Sequence, residues 1–159
     1  MNDGILGAYV LPLLIGVVAG MRTMTAPAAV SWAAYLGRLA LGGTSLSWLG
    51  HAVTPWVLTL FALGELVTDQ WPTTPSRTVP IQFGARLLTG GLSGAAIGTA
   101  NGALVSGLVA GIAGAVIGTL GGRAFRAQLA AAFGSDRPAA FLEDALAIAA
   151  ALVTVVLLP

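Results

Sequence analysis

The chain has 159 residues, 57% of them hydrophobic and 8% charged, with a formal net charge of +1 and no Cys. A soluble domain carries about 25% charged residues, and seven basic plus six acidic side chains cannot solvate a globule of this size. The composition therefore excludes a disordered chain, a disulfide-stapled domain and a thiolate metal site. The lack of a basic block argues against a nucleic-acid partner. With a mean hydropathy of +0.90, the expectation is a single integral membrane domain, residues 1–159, whose first partner is the lipid bilayer.

A helix needs about 20 apolar residues to cross the hydrocarbon core. In chain order, the uncharged stretches and their punctuation predict six helices. The first is Ile5–Gly20. No basic residue precedes it and no good small-x-small site follows it, so it reads as a span and not as a cleavable signal. The second, Pro27–Leu41, starts behind a Thr25 cap with Pro in its first turn. It is short and carries Arg38, so residues 24–41 either span or re-enter. The third is Trp48–Asp69, with Trp48 and Trp71 placed to anchor its two ends at the interfaces. The fourth is Pro80–Ala100 and the fifth is Leu104–Gly122. The sixth, Pro138–Leu158, is capped by Ser135 or Asp136. The fold class is thus all-α and polytopic.

With six crossings, Arg22, Arg77, Arg86, Arg123, Arg126 and Arg137 fall on one face and Arg38 on the other. The positive-inside rule makes the Arg-rich face cytoplasmic and puts both termini outside. A re-entrant second helix would break up this bias. All seven basic residues are Arg, which a GC-rich genome explains more simply than a need for forked ion pairs.

Glycines recur at four-residue spacing: Gly16 and Gly20; Gly90, Gly94, Gly98 and Gly102; Gly107 and Gly111; Gly114, Gly118 and Gly122. That spacing lines one face of a helix with small residues and lets backbones approach closely. It predicts tight packing through Gly/Ala faces, within a subunit or between subunits. The alternating helix directions allow a 3+3 inverted arrangement, although no match between the halves supports it.

The charged residues concentrate towards the cytoplasmic end. Glu65 and Asp69 share one face of their helix. Arg86, Glu143 and Asp144 each lie about 8–9 Å inside a helix start, at 1.5 Å per residue, and Glu65 lies as far inside Trp71. Groups at one depth are expected to meet, and ionised groups there must pair or face water. Three helices begin at this end, presenting N–H groups and positive dipole ends. Around them stand Arg22, Thr23 and Thr25, and also Thr74, Ser76 and Arg77, so an anion site is plausible there. The near balance of Arg and acid is equally what a structural ion-pair lattice would give. His51 is the only His and is predicted at the opposite end. There is no dinucleotide or Walker-type glycine pattern, and no cofactor is expected. An acid cluster can hold a divalent ion, but Glu65-Leu66-Val67-Thr68-Asp69 is too ordinary a motif to carry a metal site.

Three stretches, residues 20–28 (GMRTMTAPA), 65–78 (ELVTDQWPTTPSRT) and 143–148 (EDALAI), resemble a bacterial membrane family catalogued as domain of unknown function 4126. The resemblance spans about residues 16–150. It implies a multi-span protein of the bacterial inner membrane and no established activity. The family pattern has Asp-Lys before the first Pro, whereas Gln70 follows Asp69 here.

The leading functional expectation is a transporter or permease-like protein. Glu65, Asp69 or Glu143 would take a proton or cation, and Arg22, Arg77 and Arg86 an anionic solute. A chain this small would need a homodimer or a larger homo-oligomer. The alternatives are an accessory subunit of a membrane complex and an enzyme acting on a lipid or isoprenoid phosphate.

Overall fold

The computed structural model describes residues 2–69 and 78–158, and every regular element among them is helical. The first rod joins α1 (Asn2–Ile5), a π-helical turn (Leu6–Val10) and α2 (Leu11–Met21). Pro12 explains the widened turn: it has no N–H to donate, and its ring crowds the carbonyl four residues back, at Ala8. After a reversal at residues 22–24 come α3 (Thr25–Tyr35), a 3-10 turn (Ser47–Gly50) and α4 (Thr54–Thr68). Three longer helices follow: α5 (Pro80–Ala100), α6 (Leu104–Phe133) and α7 (Asp136–Val156). Pro27, Pro55, Pro80 and Pro138 each stand in a first helical turn, where a missing N–H breaks no intrahelical bond. Gly134, at φ 68°, closes α6 in the left-handed conformation that a helix C-terminus favours.

Three sequence expectations are corrected here. The second predicted helix, Pro27–Leu41, ends at Tyr35. Gly37, at φ 76°, turns the chain back, and Leu39 and Leu41 owe their apolar character to a buried loop. The third, Trp48–Asp69, divides into the 3-10 turn and α4, which starts at Thr54. The fifth, Leu104–Gly122, continues unbroken to Phe133, because residues 123–133 contain no helix breaker. Trp71 lies outside the described residues.

The centre of the fold is α2, α5 and α6, and glycine sets its register. A methyl group at Gly94 would meet the Gly107 carbonyl, and one at Gly90 would lie 2.7 Å from the Ala115 Cβ. These contacts run α5 antiparallel to α6. On the other side, Gly114 faces the Leu13 carbonyl and Gly118 that of Val17, so α2 runs parallel to α6. The two helices therefore touch backbone to backbone, the arrangement small residues permit. An inverted repeat would match α3 to α6, but they have 11 and 30 residues.

Polarity is distributed inside out. Arg22 and Glu143 are completely buried, whereas Ile81, Leu88, Leu60 and Val105 are each more than two-thirds exposed. Leu11, Ile15, Val30, Leu39, Leu41, Leu49 and Leu158 form an apolar cluster away from the charged end. Two helices, Leu104–Phe133 and Asp136–Val156, are long and apolar enough to cross a membrane; Leu6–Met21 and Thr54–Thr68 are shorter apolar helices.

Candidate functional site

The site is organised by the reversal between α2 and α3. Arg22 ends α2 in an extended conformation (φ −138°, ψ 111°), which turns its side chain inward. Its Nε donates to Asp144 and its NH1 to Asp69. NH2 lies against Asp144 and 3.8 Å from Glu143 Oε2. One guanidinium thus meets three carboxylates from α7 and the end of α4. Such a group is tolerated in an interior only when it is paired.

The same reversal leaves orphan backbone groups at both helix ends. Glu65, on α4, accepts from the N–H groups of Thr23 (2.7 Å) and Met24 (2.8 Å). Arg86, on α5, donates to the carbonyls of Gly20 (2.8 Å) and Met21 (2.9 Å). Arg86 NH2 lies 4.0 Å from Glu65 Oε1. The expected Thr25 cap is therefore corrected: Thr25 is the first helical residue, Met24 is the cap position, and no side-chain cap bond forms there. A carboxylate from another helix replaces the local hydroxyl, and it suits the positive end of α3 better. Ser135 likewise occupies the cap position of α7 without a side-chain cap bond.

Arg126 is the site residue that sequence reasoning missed. Because α6 continues past Gly122, its side chain reaches α7. It forks onto Asp136 at 2.9 and 2.6 Å, and its NH1 lies 3.6 Å from Glu143 and 3.8 Å from Asp69. The unbroken run of good helix formers at residues 123–133 is the signal that places it. Asp69 and Glu143 are therefore each shared between Arg22 and Arg126.

Among the expected site residues, the structure brings together Arg22, Glu65, Asp69, Arg86, Glu143 and Asp144, with Thr23 and Thr25 buried beside them. Thr74, Ser76 and Arg77 lie outside the described residues. Arg38 is at the far end, where its NH2 donates to the Val156 carbonyl at 3.1 Å. Among the described residues, no three His, Asp or Glu side chains converge as metal ligands. The described cluster holds three guanidinium groups, Arg22, Arg86 and Arg126, against the five carboxylates of Glu65, Asp69, Asp136, Glu143 and Asp144. Among the described residues, the guanidinium groups meet carboxylates and carbonyls, and carboxylates outnumber guanidinium groups. Chemically, such a cluster suits a proton or small cation better than an anion. No protein-family model, no curated protein and no solved structure matches the chain.

Proposed function

We propose that this chain is a small six-span membrane protein of the transporter or permease class, whose carboxylate-rich cluster handles a proton or small cation. Supporting the membrane assignment are the exposed apolar flanks, the buried charges and the consecutive helices that alternate in direction. In water this distribution would be inverted; in lipid it is the expected one. Arg22, Arg86, Arg123, Arg126 and Arg137 gather at one end and Arg38 at the other. The charged end therefore faces the cytoplasm, with both termini outside. The resemblance to the bacterial inner-membrane family fits this reading, as does a homodimer that widens the thin path one subunit offers.

The observation that carries the functional part is the sharing of Asp69 and Glu143 between two guanidinium groups. Two acceptors held by two donors can exchange partners when a proton or cation arrives, with little new charge exposed. The test is flux into proteoliposomes under an imposed pH or cation gradient. Wild type moves an ion, and Glu143→Gln loses that flux while eluting as the same homogeneous species. A wild type that moves no ion ends this reading.

The second reading is an accessory subunit of a larger membrane complex. Glu65 and Arg86 favour it, because both are used to hold helix ends. A stoichiometric partner retained through purification would support it.

A further inference from the structure

The longest helix is out of proportion to its neighbours. The contacts of Gly90 with Gly111, and of Gly94 with Gly107, bring Pro80, the start of α5, level with Gly121 of α6. Residues 122–133 of α6 therefore run past α5 by about 18 Å, at 1.5 Å per residue. The start of α7 accompanies this extension, joined through Gly134 and pinned by the Arg126–Asp136 fork. The whole of α6 is about 45 Å long. That matches a bilayer counted through its headgroups, not the hydrocarbon core of about 30 Å alone.

The projecting hairpin combines two kinds of exposed side chain. Phe125, Phe133 and Phe141 are 37%, 51% and 59% exposed. Arg123 and Arg137 are also exposed, and among the described residues neither pairs with a carboxylate. Arg126 is compensated by Asp136, so Arg123 at the root of the hairpin and Arg137 just past its tip leave the arm cationic. Phe side chains on a helix that lies at the interface bury at the boundary between headgroups and acyl chains, and cations close to an anionic leaflet gain favourable energy.

We propose that this α6–α7 hairpin is a headgroup-level arm that binds anionic phospholipid, with Arg123 and Arg137 on the lipid phosphates and the Phe rings at the boundary between headgroups and acyl chains. The arm fixes the height of the charge cluster, because Arg126 and Glu143 lie at its root. This inference rests on the membrane reading above.

The test uses the full chain in a neutral detergent, following its thermal transition and bound lipid by native mass spectrometry. Phosphatidylglycerol raises the transition and stays bound; phosphatidylcholine and inorganic phosphate do neither. The double variant Arg123→Gln, Arg137→Gln keeps the basal transition, since among the described residues both side chains are exposed and without a carboxylate partner, and the hydrogen bond from Arg123 to Thr78 Oγ1 is long, at 3.4 Å. It binds phosphatidylglycerol roughly 25-fold more weakly, about fivefold per Arg. Equal response to phosphatidylcholine or to inorganic phosphate, or an unchanged response in the double variant, overturns the proposal. A chain that stays folded and monodisperse with no detergent overturns the membrane reading instead.

Discussion

Glu65 and Arg86 come from different helices, lie 4.0 Å apart, and hold opposite sides of one chain reversal. Glu65 takes the N–H groups that open α3, and Arg86 takes the carbonyls that close α2. The pair thus ties α4 and α5 to the same three-residue turn. Its electrostatic part is secondary at that separation, and the four backbone hydrogen bonds supply most of the hold.

Truncating Glu65 leaves the part-buried N–H groups of Thr23 and Met24 without this acceptor. Glu65→Ala is expected to lower stability by about 2–4 kcal/mol, and Glu65→Gln by less, because one acceptor oxygen survives. Arg86→Met should cost a similar amount. The double variant should fall short of the sum by about 1 kcal/mol, since both residues serve one turn. Denaturation in detergent measures all four proteins. Strict additivity would mean that the two caps act independently.

Glycines of the same composition should respond in opposite ways according to what faces them. A methyl group at Gly111 meets the Gly90 backbone, whereas at Gly64 it meets open space. Gly111→Ala is therefore expected to cost about 3 kcal/mol or to prevent assembly. Gly64→Ala should be neutral or stabilise by about 0.5–1 kcal/mol, through helix propensity alone. Thermal transitions of the two variants decide this. Equal losses at both sites would mean that the close approach of α5 and α6 is wrong.

The glycine spacing made the packing faces legible, but not their partners. That Gly114 and Gly118 meet α2 while Gly107 and Gly111 meet α5 depends on helix rotation, which a local pattern does not encode. The bounds of α5 were readable because Pro80 starts it and Asn101-Gly102 ends it. The end of α3 was not: Leu39 and Leu41 are buried and so prolong the apolar pattern past the true stop at Tyr35. Depth alone brought Glu65, Arg86 and Glu143 to one end. Which side chain holds which backbone group is a long-range matter. Thr25 was the local choice of cap, and Glu65, forty residues on, was invisible by that logic.

Arg22 carries the largest electrostatic stake. Replacing it with Met leaves Asp69, Glu143 and Asp144 facing each other without the guanidinium they share, although Arg126 stays near Asp69 and Glu143. The expected loss is about 3–5 kcal/mol, the usual consequence of removing one side of a buried ion pair. Adding Asp144→Asn to Arg22→Met should recover part of it, because one uncompensated charge is removed. Stability in detergent is the measurement. No recovery would mean that Asp144 is held mainly by groups other than Arg22.

Chain direction is testable without disturbing native thiols, because the sequence has no Cys. Ser135 joins α6 to α7 at the charged end, and Gly42 lies in the loop near Arg38, at the opposite end. Both are exposed, and a side chain at Gly42 meets nothing within 4 Å. Ser135→Cys should react with a membrane-impermeant thiol reagent only from the cytoplasmic side, and Gly42→Cys only from the other. The six-span arrangement requires this opposition, because an even number of crossings separates Gly42 from each terminus while an odd number separates it from Ser135. Labelling of both sites from one side would mean that an even number of crossings separates them, as it would if α3, its following loop and α4 together formed one re-entrant hairpin that returns to the Arg22 turn.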